Sequence, residues 1–305
     1  MKPSKFDVAI IGGGPAGMSA ALWCVETGLT VALIEGERLG GQLNIIHNPI
    51  KNYIGSVAAN GAEMSSKFIS SLESLPMERV IGIPAESVDF GARIVTLIDG
   101  RSFEWRSLVI ATGVRRRQLS IPGEAEFFGR GVMISGVGEK QKAIGKNLVI
   151  VGGGDAAVEN ALILSEIAAK VLLVHRRSHL SARQPFVGEA RLRPNIQFLF
   201  DTTVTAIEGT KQVTEVVVND QVRNLKSIIA TDLVLVRIGV VPNSELASHC
   251  VETDDRGYIV VNANGETSTA GVFAVGDVAN PRSPTISTAT GTAATAVKSI
   301  SDKSN

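Results

Sequence analysis

Two glycine-rich segments carry the clearest chemistry in the chain. Gly12, Gly14 and Gly17 follow the apolar run Val8–Ile11, and Gly152, Gly154 and Ala157 follow Leu148–Val151 at an offset of 140 residues. In this spacing the first glycine permits a tight turn, and the second lets backbone approach a pyrophosphate. The third small residue lets a helix pack on its strand. A pyrophosphate then rests on free N–H groups at the positive end of the helix dipole. Each copy continues through a helical stretch into a second apolar strand, Val31–Glu35 in one and Val171–His175 in the other. Strand, glycines, helix and strand recurring at one offset argue against two ordinary strand–helix turns.

The two second strands end differently. Glu35 places a carboxylate where it can accept hydrogen bonds from ribose hydroxyls and would repel a 2′-phosphate, which suits FAD or NAD. His175-Arg176-Arg177 places guanidinium groups at the matching point, and these bind phosphate bidentately, which suits the 2′-phosphate of NADP. A solvated basic patch is the alternative. Ser107–Gly113 reads as a strand running into Ala111-Thr112-Gly113, a small-residue turn that backbone could bring against a cofactor. Gly271–Val275 reads as a short buried strand ending in Gly276-Asp277, where Asp277 is either a ribityl contact or a turn cap. Helical spacing resumes near Thr285, with Ala289, Ala293, Ala296, Val297 and Ile300 on one face. The N-terminal amides of that helix could face the pyrimidine side of a flavin.

The elements that must hold these residues alternate between apolar strands and helices, the pattern of a doubly wound α/β fold with two Rossmann-like units. A chain of 305 residues can bury two cores. Its 30 basic and 30 acidic side chains leave no basic excess for a nucleic-acid partner. No apolar run reaches the roughly 18 residues a membrane span needs. The first apolar stretch is broken by Asp7 and by Gly12–Pro15, so no secretory leader is expected and the expected location is cytoplasmic. Cys24 and Cys250 form neither a Cys-x-x-Cys pair nor a metal-ligand spacing, and no metal is expected. Cys24, among Ala20, Ala21, Leu22 and Val25, reads as a buried thiol, whereas Cys250 follows Ser248-His249 in a polar stretch.

Gly12-Gly13-Gly14-Pro15-Ala16-Gly17, Gly40-Gly41-Gln42-Leu43, Lys51-Asn52-Tyr53, Ala111-Thr112-Gly113, Gly152-Gly153-Gly154-Asp155, His175-Arg176-Arg177 and Gly276-Asp277-Val278 occur in this order. Together they resemble the low-molecular-weight thioredoxin reductase family over essentially the whole chain. The resemblance implies an FAD domain built from 1–114 and 241–305, with an NAD(P)H domain, 115–240, inserted into it. It places hinges near Thr112–Arg117 and Gly239–Asn243 and implies a homodimer. It implies Gly12, Gly14, Pro15, Ala16 and Gly17 around the FAD pyrophosphate, with Glu35 on the adenosine ribose and the backbone of Ala85 at the adenine. Gly41, Gln42 and Asn52 would line the flavin and ribityl chain, beside Ala111, Thr112, Gly113, Gly276 and Asp277. Thr285 and Ile286 would approach the pyrimidine edge. In the inserted domain Gly152, Gly154, Asp155, Ala156 and Ala157 would hold the NADP pyrophosphate, and His175, Arg176 and Arg177 the 2′-phosphate.

The sequence also departs from that family. Where the family carries Cys-x-x-Cys-Asp-Gly, this chain reads Ser135-Gly136-Val137-Gly138-Glu139-Lys140. A serine hydroxyl cannot cycle through a disulfide, so thioredoxin reduction through this segment is excluded. Glu139 is either a proton donor or a solvated loop carboxylate. A further arginine of the family's phosphate site falls on Ser181, with Arg183 next, which leaves both NADPH and NADH open. Arg115-Arg116-Arg117 is either a solvated run or a dock for an acidic protein. The expectation is an FAD-dependent NAD(P)H oxidoreductase passing electrons to ferredoxin or flavodoxin, a quinone, oxygen or a small molecule. A flavin-binding regulatory homologue, or a flavoenzyme reduced by a protein donor, is the alternative. Thioredoxin-reductase-like ferredoxin–NADP reductases also lack the dithiol, but carry a flavin-covering segment past the last helix; without it, an open flavin face is expected.

Overall fold

The computed structural model describes residues 3–279 and 281–304. Strand β1 (Ser4–Ile11) ends in four buried residues, and α1 (Pro15–Glu26) starts with a proline, whose missing N–H costs nothing at that position. Strand β2 (Val31–Glu35) lies parallel to β1, with Val8 opposite Val31. After a 3-10 turn at Gly41–Ile45 comes α2 (Gly61–Ser70), capped by Asn60 Oδ1, which accepts from Glu63 N at 2.9 Å. Strand β3 (Glu78–Ile81) joins β2, and β4 (Ala85–Asp89), β5 (Ile94–Leu97) and β6 (Ser102–Ile110) follow. The expected strand Ser107–Gly113 thus begins at Ser102 and ends at Ile110. Its early residues are recruited by antiparallel pairing with β5, and beyond Ile110 the backbone turns across the first glycine segment.

The chain leaves this unit after Arg115, within β7 (Val114–Arg116). The inserted unit holds β8 (Val132–Met133), β9 (Asn147–Val151), α3 (Asp155–Ser165), β10 (Lys170–Val174), α4 (Gln184–Leu192) and β11 (Ile196–Leu199). An antiparallel meander, β12 (Thr202–Gly209), β13 (Val213–Asp220) and β14 (Leu225–Ala230), leads to β15 (Leu233–Val236). The parallel sheet runs β11-β10-β9-β15-β8. On one face Ala157, Val158, Ala161 and Leu164 of α3 pack on Ile150, Leu173 and Leu235. On the other, Val204, Ile207, Val216 and Val218 of the meander pack on Val149, Val174 and Val234. Burial on both faces is why β9 and β10 read as unbroken apolar runs. Strand β10 stops one residue before the expected His175, whose carbonyl accepts from Thr202 N at 3.1 Å.

The chain re-enters the first unit after Val240, within β16 (Val240–Pro242), and closes with β17 (Val272–Ala274) and α5 (Ile286–Ser304). The sheet of this discontinuous unit is ordered β3-β2-β1-β6-β5-β4, with β17 parallel to the last three residues of β6. Ala289, Ala293, Ala296, Val297 and Ile300 of α5 are buried with Ala20 and Ala21 of α1 on one face, as their spacing requires. Val88, Val95, Leu97, Ala247, Val251 and Ile259 cover the other face. The protein therefore contains two Rossmann-like α/β units, one inserted into the other. Among the described residues no helix is long and apolar enough to cross a membrane.

Candidate functional site

In the discontinuous unit the carboxyl ends of β1, β2, β6 and β17 converge on the first glycine turn. Gly12 has a φ of 112°, which favours glycine, and a Cβ there would run into the carbonyl of Ala111. Gly17 lies under the same turn: its Cβ would sit 2.9 Å from the Gly12 carbonyl carbon and overlap the oxygen. Gly14 caps α1 with extended backbone and no side-chain hydrogen bond, and the first turn holds no acid. Its amides are left for another acceptor. Gly40 N donates to Gly13 O at 2.8 Å, and a Cβ on Gly41 would come 3.0 Å from Gly14 Cα, so Gly40–Gln42 leans on the turn.

At one side of the turn, Glu35 Oε2 accepts from Gly13 N at 2.6 Å and Oε1 from Glu37 N at 2.8 Å. Gly82 N donates to Glu35 O at 2.9 Å and Pro84 packs on Gly36, which brings Ala85 to the same strand end. At the other side Gln42 Nε2 donates to Val114 O at 2.8 Å. Thr112 is clamped by Asn243, whose carbonyl accepts from Thr112 Oγ1 at 2.5 Å while its Nδ2 donates to Thr112 O at 2.8 Å. Gly113 O accepts from Asn243 N at 3.0 Å. Gly276 fits against Ala16 and donates to Thr292 Oγ1 at 3.2 Å. Thr285 Oγ1 accepts from Thr288 N at 3.2 Å, and Ile286 packs in the cluster of Leu43, Ile50, Ala58 and Met64, which ties the start of α5 to the Gln42 turn. Asn52 is exposed and makes no hydrogen bond among the described residues. Asp277 is partly buried, has no hydrogen-bond or ion-pair partner there, and is pushed above the usual carboxylate range by burial. A partnerless acceptor at one end and free helix amides in the middle suit an extended ligand bearing hydroxyls and phosphates.

The inserted unit repeats the frame. Gly152 N donates to Val174 O at 3.0 Å, as Gly12 N does to Ile34 O at 2.8 Å. Arg237 N donates to Val151 O at 2.7 Å, as Ala111 N does to Ile11 O at 2.8 Å. Gly152 has a φ of 151°, and a Cβ there would meet the Arg237 carbonyl. Gly154 caps α3; Ala156 is exposed and Ala157 is buried beneath the turn. The His175 ring packs directly on Gly153, and its buried Nε2 has no hydrogen-bond partner among the described residues. Burial, then Arg177 and Arg176, hold this imidazole below its ordinary value and favour the neutral ring. Arg176 and Arg177 are exposed and form no ion pair among the described residues. Arg183 is not equally free: Asp155 accepts from its Nε and its backbone N at 2.7 Å each, and its guanidinium stacks 4.6 Å from the Phe186 ring. Ser181 stays on the turn, donating to Gly153 O through N at 2.8 Å.

The model of the family described as pyridine nucleotide-disulphide oxidoreductase matches residues 6–297. The chain belongs to this family. A thioredoxin reductase of Bacillus subtilis (strain 168) is 35% identical over 296 residues, 97% of this chain and 93% of that protein. One component of the alkyl hydroperoxide reductase of Staphylococcus aureus (strain MSSA476) is 31% identical over 97% of this chain and 59% of its own length. The crystal structure of Lactococcus lactis thioredoxin reductase in its FR conformation has a TM-score of 0.84 at 33% identity, covering 97% of each chain. This chain is therefore a thioredoxin-reductase-like member of an oxidoreductase and flavoprotein family.

In this family member the segment Ser135–Lys140 forms a loop past β8 that is closed by its own carboxylate. Glu139 Oε2 accepts from Ile134 N at 2.6 Å and Ser135 N at 3.0 Å, and Oε1 accepts from Lys142 Nζ at 2.6 Å. Burial works to raise this carboxyl, but Lys142 and the two amides outweigh it and hold it below the usual range. Glu139 is thus tied to its own loop and acts as a clamp more than as a free solvated side chain. The arginine triplet also divides. Arg115 pairs with Glu245 at 2.6 Å, Arg116 is partly buried and donates to the Ile134 carbonyl, and Arg117 is exposed. Cys24 is fully buried, with its thiol pushed up to about 12 by burial and the nearby Asp7 charge. Cys250 is partly exposed, and the His249 ring stacks edge-on to Phe90 at 5.7 Å.

Sequence reasoning missed Arg237, Asn243 and the Asp155–Arg183 pair. Arg237 answers to Ala111 in the repeat, but at an offset of 126 residues, because the loops between second strand and return strand differ in length. A comparison at the single offset of 140 passes over it.

Proposed function

We propose that the protein is an FAD-dependent NAD(P)H oxidoreductase that passes electrons to an acceptor other than a protein disulfide. The single observation behind this reading is the Ser135–Lys140 loop: it carries no sulfur and is closed by Glu139, while the two cysteines lie in other parts of the chain. When bound, the flavin would supply a two-electron carrier between reduced nicotinamide and acceptor.

The chain's own residues have assigned tasks on this reading. Gly12, Gly14, Pro15, Ala16 and Gly17 bring α1's amides to the FAD pyrophosphate, and Glu35 uses its remaining lone pairs for the adenosine ribose. Ala85 meets the adenine. Gly41, Gln42, Asn52, Ala111, Thr112, Gly113, Gly276, Asp277, Thr285 and Ile286 line the ribityl and flavin end. Asp277 fits a hydroxyl donor because it is partly buried and without a partner among the described residues. In the inserted unit Gly152, Gly154, Asp155, Ala156 and Ala157 hold the second pyrophosphate, with His175, Arg176 and Arg177 at the 2′-phosphate. With Arg183 engaged by Asp155, preference for NADPH over NADH rests on Arg176 and Arg177 alone. Two copies of the chain form the working dimer.

Anaerobic titration of the purified yellow protein with NADPH and then NADH tests the proposal. Rapid bleaching of the flavin absorbance, with NADPH effective at the lower concentration, is expected. A protein that stays yellow with both nucleotides would overturn it and point to a protein donor or a regulatory role.

A further inference from the structure

Arg116, in β7, and Arg237, just past β15, aim at one atom of the inserted unit. Arg116 Nη1 and Arg237 Nη2 both donate to the Ile134 carbonyl, the latter at 3.1 Å, and Arg237 Nη1 donates to Val236 O at 2.7 Å. Both side chains are partly buried. Among the described residues neither has a carboxylate at ion-pair distance. The acid of the adjoining loop, Glu139, is committed to Lys142 and to the amides of Ile134 and Ser135. Arg115 and Arg183, by contrast, each meet a carboxylate, at 2.6 and 2.7 Å. Burial lowers both guanidiniums from their ordinary value. Arg237 is drawn down to about 10 by burial first and then by Arg116, with Glu139 opposing. Two partly buried cations sharing one neutral acceptor form an unbalanced site, and a second acceptor of opposite charge would relieve it.

The place is as informative as the charge. Arg237 follows β15, and its backbone lines the Gly152 turn at the seam between β9 and β15. Open α/β sheets take their ligands outside the carboxyl ends of their strands at such a seam. His175, Arg176 and Arg177 stand at the end of β10, on the other side of β9. The first unit has Ala111 at the equivalent position, so the fold itself does not require an arginine there.

We propose that Arg116 and Arg237 form a second anion site in the inserted unit, which holds the carboxylate or phosphate group of a small-molecule electron acceptor. The assignment of that anion to an acceptor rests on the function proposed above, because the site adjoins the Ser135–Lys140 loop that replaces the family's dithiol segment. The anion site itself is read without turnover.

Isothermal titration of the FAD-bound protein with inorganic phosphate and with malonate, in the absence and presence of saturating NADPH, measures it. Each of Arg116→Met and Arg237→Met should weaken probe binding by about tenfold or more, as loss of a charge-assisted donor pair does, while the NADPH affinity of Arg116→Met stays unchanged. Arg237→Lys keeps the charge but not the two-pronged donor, and should retain part of the binding with flavin content intact. That variant keeps the test usable if Arg237→Met folds poorly. No heat of binding in the wild type, or binding that survives both Met substitutions, overturns the site. Loss of the Arg116- and Arg237-dependent part of probe binding once NADPH is present, or weaker NADPH binding in Arg237→Met with 2′,5′-ADP binding unchanged, shows that the arginines serve the nucleotide and overturns the acceptor assignment. Anion binding in a protein whose flavin NADPH does not bleach would sink the proposed function and leave the anion site standing.

Discussion

Gly17→Ala tests the first glycine turn most directly. The added Cβ would lie 2.9 Å from the Gly12 carbonyl carbon and closer still to its oxygen, so α1 must recede by more than an ångström to restore the shortest contact real side chains make. Ala111 Cβ, 3.4 Å away, also stands against the new methyl. Overpacking of this kind costs about 1–3 kcal/mol, and the better helix propensity of alanine returns roughly 1 kcal/mol. The net effect on the flavin-free protein is therefore small, about 0–2 kcal/mol. The ligand suffers more, because the turn and the helix amides that would meet a pyrophosphate separate from each other. FAD affinity should fall by about tenfold or more, equivalent to roughly 1.4 kcal/mol. Absorbance-based flavin occupancy, a titration of FAD into the flavin-free variant and a thermal melt of both forms would measure this. The inserted unit supplies the control, since Ala157 occupies the matching place and is buried without displacing its helix. Ala157→Gly should leave FAD occupancy untouched and cost about 1 kcal/mol of stability through helix propensity. Full FAD affinity and an unchanged melt in Gly17→Ala would refute the reasoning.

Arg176→Ala and Arg177→Ala should each weaken NADPH binding by about tenfold and leave NADH binding nearly unchanged, read by quenching of nucleotide fluorescence. Equal losses for both nucleotides would remove the 2′-phosphate role. Asp277 is raised by burial, so in the flavin-free protein its penalty is absent at low pH, grows as pH rises through the carboxylate range, and is complete above the raised value. Asp277→Asn should therefore melt higher than wild type near neutrality, lose that advantage in acid, and bind FAD more weakly; a pH-independent difference would contradict this. Cys24, with its thiol pushed up to about 12, should resist alkylation in the native protein while Cys250 reacts, and mass spectrometry after partial labelling would show the reverse if the burial argument is wrong.

The two dinucleotide frames were legible because each requirement is local. Gly12 and Gly152 must accept backbone that other residues resist, Gly17 must be small within a few residues of them, and β1 and β9 need unbroken apolar runs. The small-residue stripe of α5 was legible for the same reason, since a helix face is written at fixed short spacing. Element ends were less so: β6 starts early because of β5, and β10 stops at Val174 because Thr202 takes the next carbonyl.

The sequence alone determined the two-unit α/β architecture, the glycine turns, Glu35 and His175-Arg176-Arg177 at the strand ends, and the absence of any Cys-x-x-Cys pair. Only the tertiary structure decided which charges meet. It split Arg115 from Arg116, gave Arg183 to Asp155, made Glu139 a loop clamp, and set Arg237 opposite the Gly152 turn. Backbone sterics and side-chain periodicity act over a few residues and leave their mark in the order of the letters. Charge partners are chosen by how distant strands stack and by which groups burial strips of water, and that is settled only when the chain has folded.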